Sequence, residues 1–182
     1  MNGSGSFRVH AGVKGDLVIA DDRTAPASFE DFFLTRREDL LGALFVLTRD
    51  REEAKDISQD AFVAVWERWD DICRLEDPTG YLFRTALNKH RSRIRRARVA
   101  ARRVLVSPAP SSDADTGGDR ADVARALAAL PRRQREAIVL TDLLEFDSTQ
   151  AGRIMGVASS TVRRLTQNAR EHLRKSLEVH DE

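Results

Sequence analysis

The chain has 182 residues, of which 41% are hydrophobic and 32% are charged. This length and composition allow one ordinary domain or two small ones with modest cores, and they exclude disorder of the whole chain. The single cysteine, Cys73, cannot form an internal disulfide, and no apolar run approaches the length of a membrane span. We therefore expect a cytoplasmic protein without membrane insertion.

Charge is strongly segregated along the chain, although the net charge is only +1. Residues 29–77 carry 14 acidic and 7 basic residues, whereas residues 78–112 carry 9 basic residues and no acidic one. The first stretch should repel nucleic-acid phosphates and the second should attract them.

Residues 1–27 are expected to form a flexible N-terminal extension. They contain four glycines around one short apolar patch, so they lack the apolar region of a signal peptide.

Helical spacing dominates residues 28–103. Ser28, with Asp31 three residues on, predicts a helix start, and Asp50 with Glu53 predicts a second one. A third start is predicted at Pro78, because proline is tolerated in the first turn of a helix. The apolar face of the first helix comprises Phe33, Leu40, Leu44 and Leu47, and that of the second comprises Ala54, Ile57, Ala61 and Val65. We expect the second helix to end near Trp69 and the third to continue beyond Arg96.

Residues 104–120 are rich in Pro, Ser, Gly and Asp, which predicts a flexible linker. Beyond it, Val123, Leu127 and Leu130 mark one helix, Pro131 opens another, and two more follow. No strand pattern competes. The sequence therefore predicts an all-α fold of two small helical domains, residues 28–103 and 121–178, joined by the linker.

The last two helices have the spacing of a helix-turn-helix. Gly152 would let the two helices approach closely, Gly156 would permit the tight turn, and Val162 and Leu165 would anchor the second helix. The opposite face offers polar side chains to a DNA major groove, namely Ser159, Ser160, Thr161, Arg163, Arg164, Gln167 and Arg170.

An ordinary helical hairpin with a solvated basic face is the simpler alternative. Two glycines and two apolar anchors in register favour the helix-turn-helix. The charge of residues 153–175, with 6 basic residues and one acidic residue, also favours the helix-turn-helix.

Three segments resemble a known family. Residues 50–69 (DREEAKDISQDAFVAVWERW) and 77–96 (DPTGYLFRTALNKHRSRIRR) resemble region two of the sigma-70 family. Residues 126–140 (ALAALPRRQREAIVL) resemble the start of region four. The resemblance covers roughly residues 29–177, and two regions with a short linker are typical of the extracytoplasmic-function (ECF) group. It implies a sigma factor that brings core RNA polymerase to promoter DNA, is inhibited by an anti-sigma factor, and is monomeric when free.

The resemblance also implies roles for individual residues. Polymerase binding falls on Asp56, Gln59 and Asp60, which share one helix face at i, i+3 and i+4. Binding of the minus-ten element falls on Trp69, Tyr81, Arg84, Asn88, Arg91, Arg93, Arg95 and Arg96. Binding of the minus-thirty-five element falls on the polar helix-turn-helix face given above. We assign Trp66 and Phe83 to the core.

The chain departs from the family pattern at three places. Gln150, Ala151 and Gly152 stand where Glu-Ile-Ala is usual, and Ser92 stands where an acid is common. Ala158 replaces a serine-type cap, so we expect Ser159 to cap the recognition helix instead.

Residues that would support catalysis are not apparent in the sequence. It contains no nucleophile-base pair, metal-spaced cluster or phosphate loop, and its four histidines are scattered, so we expect no enzyme activity, cofactor or metal. Cys73 is interpreted as a small, partly buried hydrophobic residue, with a redox role left open. Two other classes remain as alternatives: a free-standing dimeric helix-turn-helix regulator and a helical adaptor.

Overall fold

The computed structural model describes residues 28–103 and 119–178, and every regular element in those ranges is helical. The N-terminal helices are α1 (Phe29–Thr48), α2 (Arg51–Trp66), α3 (Trp69–Ile72) and α4 (Pro78–Arg103). The C-terminal helices are α5 (Asp119–Ala129), α6 (Arg132–Ile138), α7 (Ser148–Met155) and α8 (Ser159–Glu178), with a π-helical segment Val139–Leu143 after α6. The all-α prediction is confirmed. The predicted N-terminal extension and nearly all of the predicted linker lie outside the described residues.

Local capping explains where the first helices begin. Ser28 Oγ accepts a hydrogen bond from the N–H of Asp31 at 3.1 Å, and Asp50 Oδ1 accepts from the N–H groups of Glu52 and Glu53. These bonds satisfy N–H groups that have no partner within the helix. At the start of α4, Asp77 Oδ1 accepts from the N–H of Gly80 at 2.7 Å. The three predicted helix starts are therefore confirmed.

The end of α2 differs from the prediction. The helix stops at Trp66, and Trp69 begins the short α3. Trp66 is 63% exposed, whereas the Trp69 ring packs against Phe29 and Phe32 at centroid distances of 5.6 and 5.1 Å. One continuous helix would place both indoles on the same side, because residues three apart share a face. The break leaves Trp66 at the surface and packs the half-buried Trp69 against the core, so the assignment of Trp66 to the core was wrong.

One of two hydrophobic clusters in the described residues extends across both halves of the chain. Buried residues of α1, α2 and α4 form one cluster with those of α6, α7 and α8. At the junction, the ring of Phe83 on α4 meets Phe146 at 5.3 Å in an edge-to-face arrangement, which is favourable for aromatic pairs. The N-terminal and C-terminal helices thus pack directly against each other.

Candidate nucleic-acid interface

The first helix of the predicted helix-turn-helix has a complete capping box. Asp147 Oδ1 accepts from the N–H groups of Thr149 and Gln150, and the Gln150 side chain accepts from the N–H of Asp147 at 3.0 Å. The pattern needs Glu or Gln at this position. Gln150 therefore replaces the glutamate usual in the family without losing the cap.

Both glycines have the mechanical roles predicted for them. A Cβ on Gly152 would lie 2.8 Å from the carbonyl oxygen of Val157, so only glycine permits this approach of chain to helix. Gly156 has φ +71°, in the left-handed region that favours glycine. Val162 is fully buried and Leu165 packs against the core, which fixes α8 on α7.

The predicted cap at Ser159 was wrong. The carbonyl of Ala158 accepts the first bond of α8, from the N–H of Val162, so Ala158 occupies the cap position and Ser159 is already the first helical residue. This fixes the register of the outward face. Ser160, Arg163, Arg164 and Gln167 are exposed, and Ser159 and Thr161 are half-buried.

Arg170 lies on the same face but is held by an acid. Its Nε and Nη2 donate to the two carboxylate oxygens of Asp142 at 2.9 Å each. Burial alone would raise the pKa of Asp142, but the hydrogen bonds from Arg170 and Thr141 outweigh burial and lower that pKa. Asp142 is thus ionised at neutral pH and orients Arg170 beside a cleft of about 600 Å³ that Arg163 and Gln167 also line.

The predicted minus-ten residues differ in their exposure to solvent. Arg84, Asn88, Arg95 and Arg96 are exposed. Tyr81 is half-buried, with its hydroxyl 3.5 Å from Arg68 Nη1. Trp69 is half-buried, and its ring packs against Phe29 and Phe32. The exposed group forms a surface suited to phosphates.

Two further predicted DNA-binding arginines have carboxylate partners. Arg93 bridges Asp56 and Asp60 of α2 at 3.5 and 3.1 Å. Arg91 donates through Nη2 and Nε to the Glu136 carboxylate at 2.7 and 3.3 Å. In this conformation both side chains are therefore directed at protein groups.

The predicted polymerase-binding residues are exposed together on α2. Asp56 and Asp60 share Arg93, and Gln59 lines an open groove of about 780 Å³ between α1 and α2. The apolar part of that groove was not predicted and includes three exposed side chains, Leu34, Val63 and Trp66. The spacing of Gln59, Val63 and Trp66, at i, i+4 and i+7 on one helix face, was the signal that could have revealed it.

The role of Glu136 was also not predicted, although this residue of α6 joins the C-terminal helices to α4 through Arg91. Its side chain is 0% exposed and pairs with Arg91, while Arg132 and Arg133 of its own helix lie at 3.6 Å each. A buried carboxylate requires such partners, because leaving it unpaired would cost ~3 kcal/mol or more. Arginine at i−4 and i−3 was the local signal for part of this cluster.

His90 lies beside the same cluster. It is 3% exposed, and within the described residues its Nδ1 has no hydrogen-bond partner. Burial lowers the pKa of His90 below its ordinary value of 6.5; Glu136 opposes this effect, and Arg132, Arg135 and Arg91 reinforce it. The imidazole is thus neutral at pH 7.

Metal-binding clusters and membrane-spanning helices are absent from residues 28–103 and 119–178. No group of three or more His, Cys, Asp or Glu side chains is placed to hold a metal ion there, and no helix in these ranges is long and apolar enough to cross a membrane. Cys73 is half-buried, with its Sγ 3.6 Å from the carbonyl oxygen of Asp70.

Comparison with known proteins gave consistent matches. The family models for sigma-70 region 2 and for sigma-70, region 4 match residues 32–99 and 120–173. An RNA polymerase sigma-E factor of Streptomyces avermitilis is 27% identical over 155 residues, covering 84% of this chain and 87% of the relative. The ECF RNA polymerase sigma factor SigM of Mycobacterium tuberculosis is 29% identical over 160 residues, covering 87% and 80%.

Solved structures resemble the fold as well. The sigma factor RpoE of Bartonella quintana, solved with the anti-sigma factor NepR, superposes with a TM-score of 0.72 at 25% identity, covering 83% of this chain and 97% of that one. CnrH, solved with the cytosolic domain of CnrY, gives 0.59 at 27% identity, covering 83% and 88%.

We expect the free energy of unfolding to fall as the pH is lowered below about 6.5. Unfolding exposes His90 and returns its pKa to the ordinary value, so the unfolded chain binds a proton at a higher pH than the folded chain. The stability from burying the neutral ring is complete above about 6.5 and is lost progressively below it. Urea titrations between about pH 7.5 and about pH 5 measure this dependence.

His90→Gln should flatten the profile, and His172→Gln, which alters an exposed side chain, is the control. Equal slopes for the wild type and His90→Gln would contradict the role of His90.

Proposed function

The chain belongs to the sigma-70 family and is a sigma factor of its ECF group, and we propose a separate role in transcription initiation for each of three surfaces. The exposed α2 face and its groove bind core polymerase, α4 holds the minus-ten element, and α8 reads the minus-thirty-five element. The chain catalyses no reaction itself and acts in the cytoplasm, where polymerase and promoters are found.

The order of surfaces along the chain carries this proposal. An acidic face with an apolar groove precedes a basic helix, and a helix-turn-helix with exposed arginines follows. A free-standing regulator or an adaptor would have no use for the N-terminal helices that match sigma-70 region 2. Basic helices that attract phosphate, combined with a docking face for polymerase, fit an initiation factor.

The groove on α2 supports a specific docking mode. Trp66 is 63% exposed and Val63 is 45% exposed, beside the polar Gln59. Exposed aromatic side chains within an apolar groove are typical anchors of protein interfaces, and surrounding polar groups add specificity. We therefore place Trp66 at the centre of the polymerase contact.

Run-off transcription tests the function and this contact together. Core polymerase with the chain should yield promoter-specific transcripts from a library of host promoters that core polymerase alone does not yield. Trp66→Ser should weaken core binding by about 30-fold or more, the effect of losing an interface anchor worth ~2 kcal/mol. Fluorescence anisotropy with labelled protein measures the affinity.

Val99→Ser removes a side chain that is 47% exposed on α4 and serves as the matched control. Wild-type affinity in Trp66→Ser would remove Trp66 from the contact. Absence of both transcripts and core binding for the wild type would contradict the proposed function itself.

The helix-turn-helix face is tested by salt dependence. In the holoenzyme, Arg163→Ala/Arg164→Ala should weaken binding of the minus-thirty-five element. The slope of log K against log[salt] should fall by about 0.9 for each phosphate that the variant no longer neutralises. If either arginine reads a base, discrimination against a mutated element should fall as well.

Arg125→Ala/Lys175→Ala removes the same charge from two exposed positions of α5 and α8 that do not line the cleft beside Arg163, and it is the matched control. Equal slopes for the two double variants would show that charge alone, and not the predicted face, governs binding.

We also propose that an anti-sigma factor controls the chain, because its structural relatives RpoE and CnrH were solved as complexes with NepR and CnrY. Such a protein should co-purify with the tagged chain from its own host, and it should compete with core polymerase for the purified chain. Co-purifying proteins that leave polymerase binding unchanged would contradict this control.

A further inference from the structure

Where the N-terminal and C-terminal helices meet, each half contributes an arginine that donates a hydrogen bond to the other half. Arg91 of α4 donates to the carbonyl oxygen of Met155, the last residue of α7, at 3.2 Å. Arg135 of α6 donates to the carbonyl oxygen of Leu47, near the end of α1, at 3.4 Å. Carbonyls in the last turn of a helix have no partner within it and attract cations. Each half therefore satisfies a helix end of the other.

Arg91 also forms an ion pair with Glu136 of α6, at 2.7 Å. Glu136 is 0% exposed and the Arg91 side chain is 19% exposed, so both charges are largely withdrawn from water. Two parallel N–H to oxygen bonds join the guanidinium to the carboxylate, which is the strongest geometry for such a pair. The nearby rings of Phe83 and Phe146 add an apolar contact across the same boundary.

This closed arrangement conflicts with simultaneous promoter binding. The hydrogen bond from Arg91 to Met155 places the basic helix directly against the first helix of the helix-turn-helix. The names of the minus-ten and minus-thirty-five elements place their centres about 25 base pairs apart, which is about 85 Å of duplex at ~3.4 Å per pair. Two DNA-binding elements in side-chain contact cannot lie that far apart.

We propose that Arg91 and Glu136 form a latch that closes region two onto region four in the free chain, without the help of any partner. Opening separates the two regions and releases Arg91 toward promoter phosphates. The inference rests on the sigma function, because it assigns Arg91 alternative partners, a carboxylate in the free chain and DNA in the initiation complex.

The charges of Arg91 and Glu136 have partners in both the closed and the open state. When the latch opens, Glu136 gains water and keeps Arg132 and Arg133, which already lie at 3.6 Å on its own helix. Arg91 exchanges a carboxylate for a phosphate, an equivalent bidentate partner. The 15 residues between the described ranges, if fully extended, would reach about 50 Å, which together with the widths of the two regions permits the separation.

Intramolecular distance measurements on the free chain test the latch. Spin labels at Glu67→Cys on the N-terminal half and Asn168→Cys on α8, in a Cys73→Ser background, report closure by pulsed electron resonance. The otherwise unaltered chain should show a single short distance. Arg91→Met and Glu136→Gln, on opposite sides of the boundary, should each shift the closed-to-open ratio by about tenfold or more, the factor that a hydrogen bond between charged groups is worth.

The double variant should be no more open than Arg91→Met alone, because Arg91→Met has already removed the ion pair that Glu136→Gln disrupts. Arg98→Met, an exposed arginine of the same helix, should leave the distance unchanged. A long distance in the chain without these changes, or wild-type distances in both latch variants, would overturn the latch. Run-off transcription by the unlabelled chain separates that result from failure of the sigma function, since a sigma factor without a latch still initiates.

Discussion

A carboxylate without access to water needs positively charged partners, and Glu136 is such a carboxylate. The contact between the two halves of the chain depends on this requirement. The charge of Glu136 is met by Arg91 from the N-terminal half and by Arg132 and Arg133 from its own helix. Meeting Arg91 fixes α4 against α6 and α7, and this places Phe83 on Phe146. His90 is buried by the same packing, and burial, reinforced by three nearby arginines, lowers its pKa and keeps the imidazole neutral.

Much of the fold could be predicted because it depends on neighbours in sequence. The helix starts at Ser28, Asp50 and Pro78 are decided within a single turn, and the stripe from Ala54 to Val65 follows from helical period. Gly152 and Gly156 are local requirements of a tight turn and a close approach. The exposed face of α8 follows from these features, so Arg163 and Arg164 were identified as accessible from the sequence.

The remainder depends on residues far apart in the chain. Arg91 and Glu136 are 45 positions apart, and Arg93 and Asp60 are 33 apart, so no local pattern could show that arginines assigned to DNA also have carboxylate partners. The environments of Trp66 and Trp69 likewise depend on residues far away in the chain. Phe29 and Phe32, against which Trp69 packs, belong to α1, about 40 positions earlier in the chain. The sequence thus indicated which residues are basic or aromatic but not which surface each one faces in the folded chain.

The two indoles have a practical consequence, because they are the chain's only tryptophans. Trp66 emits from a largely aqueous environment and Trp69 from an apolar one beside Phe29 and Phe32. The intrinsic fluorescence of the protein therefore contains an indicator and an internal reference. Trp66 lines the groove between α1 and α2 and Trp69 does not, so covering the groove changes the emission of Trp66 more than that of Trp69. Occupancy of the groove can therefore be followed optically without attaching a dye.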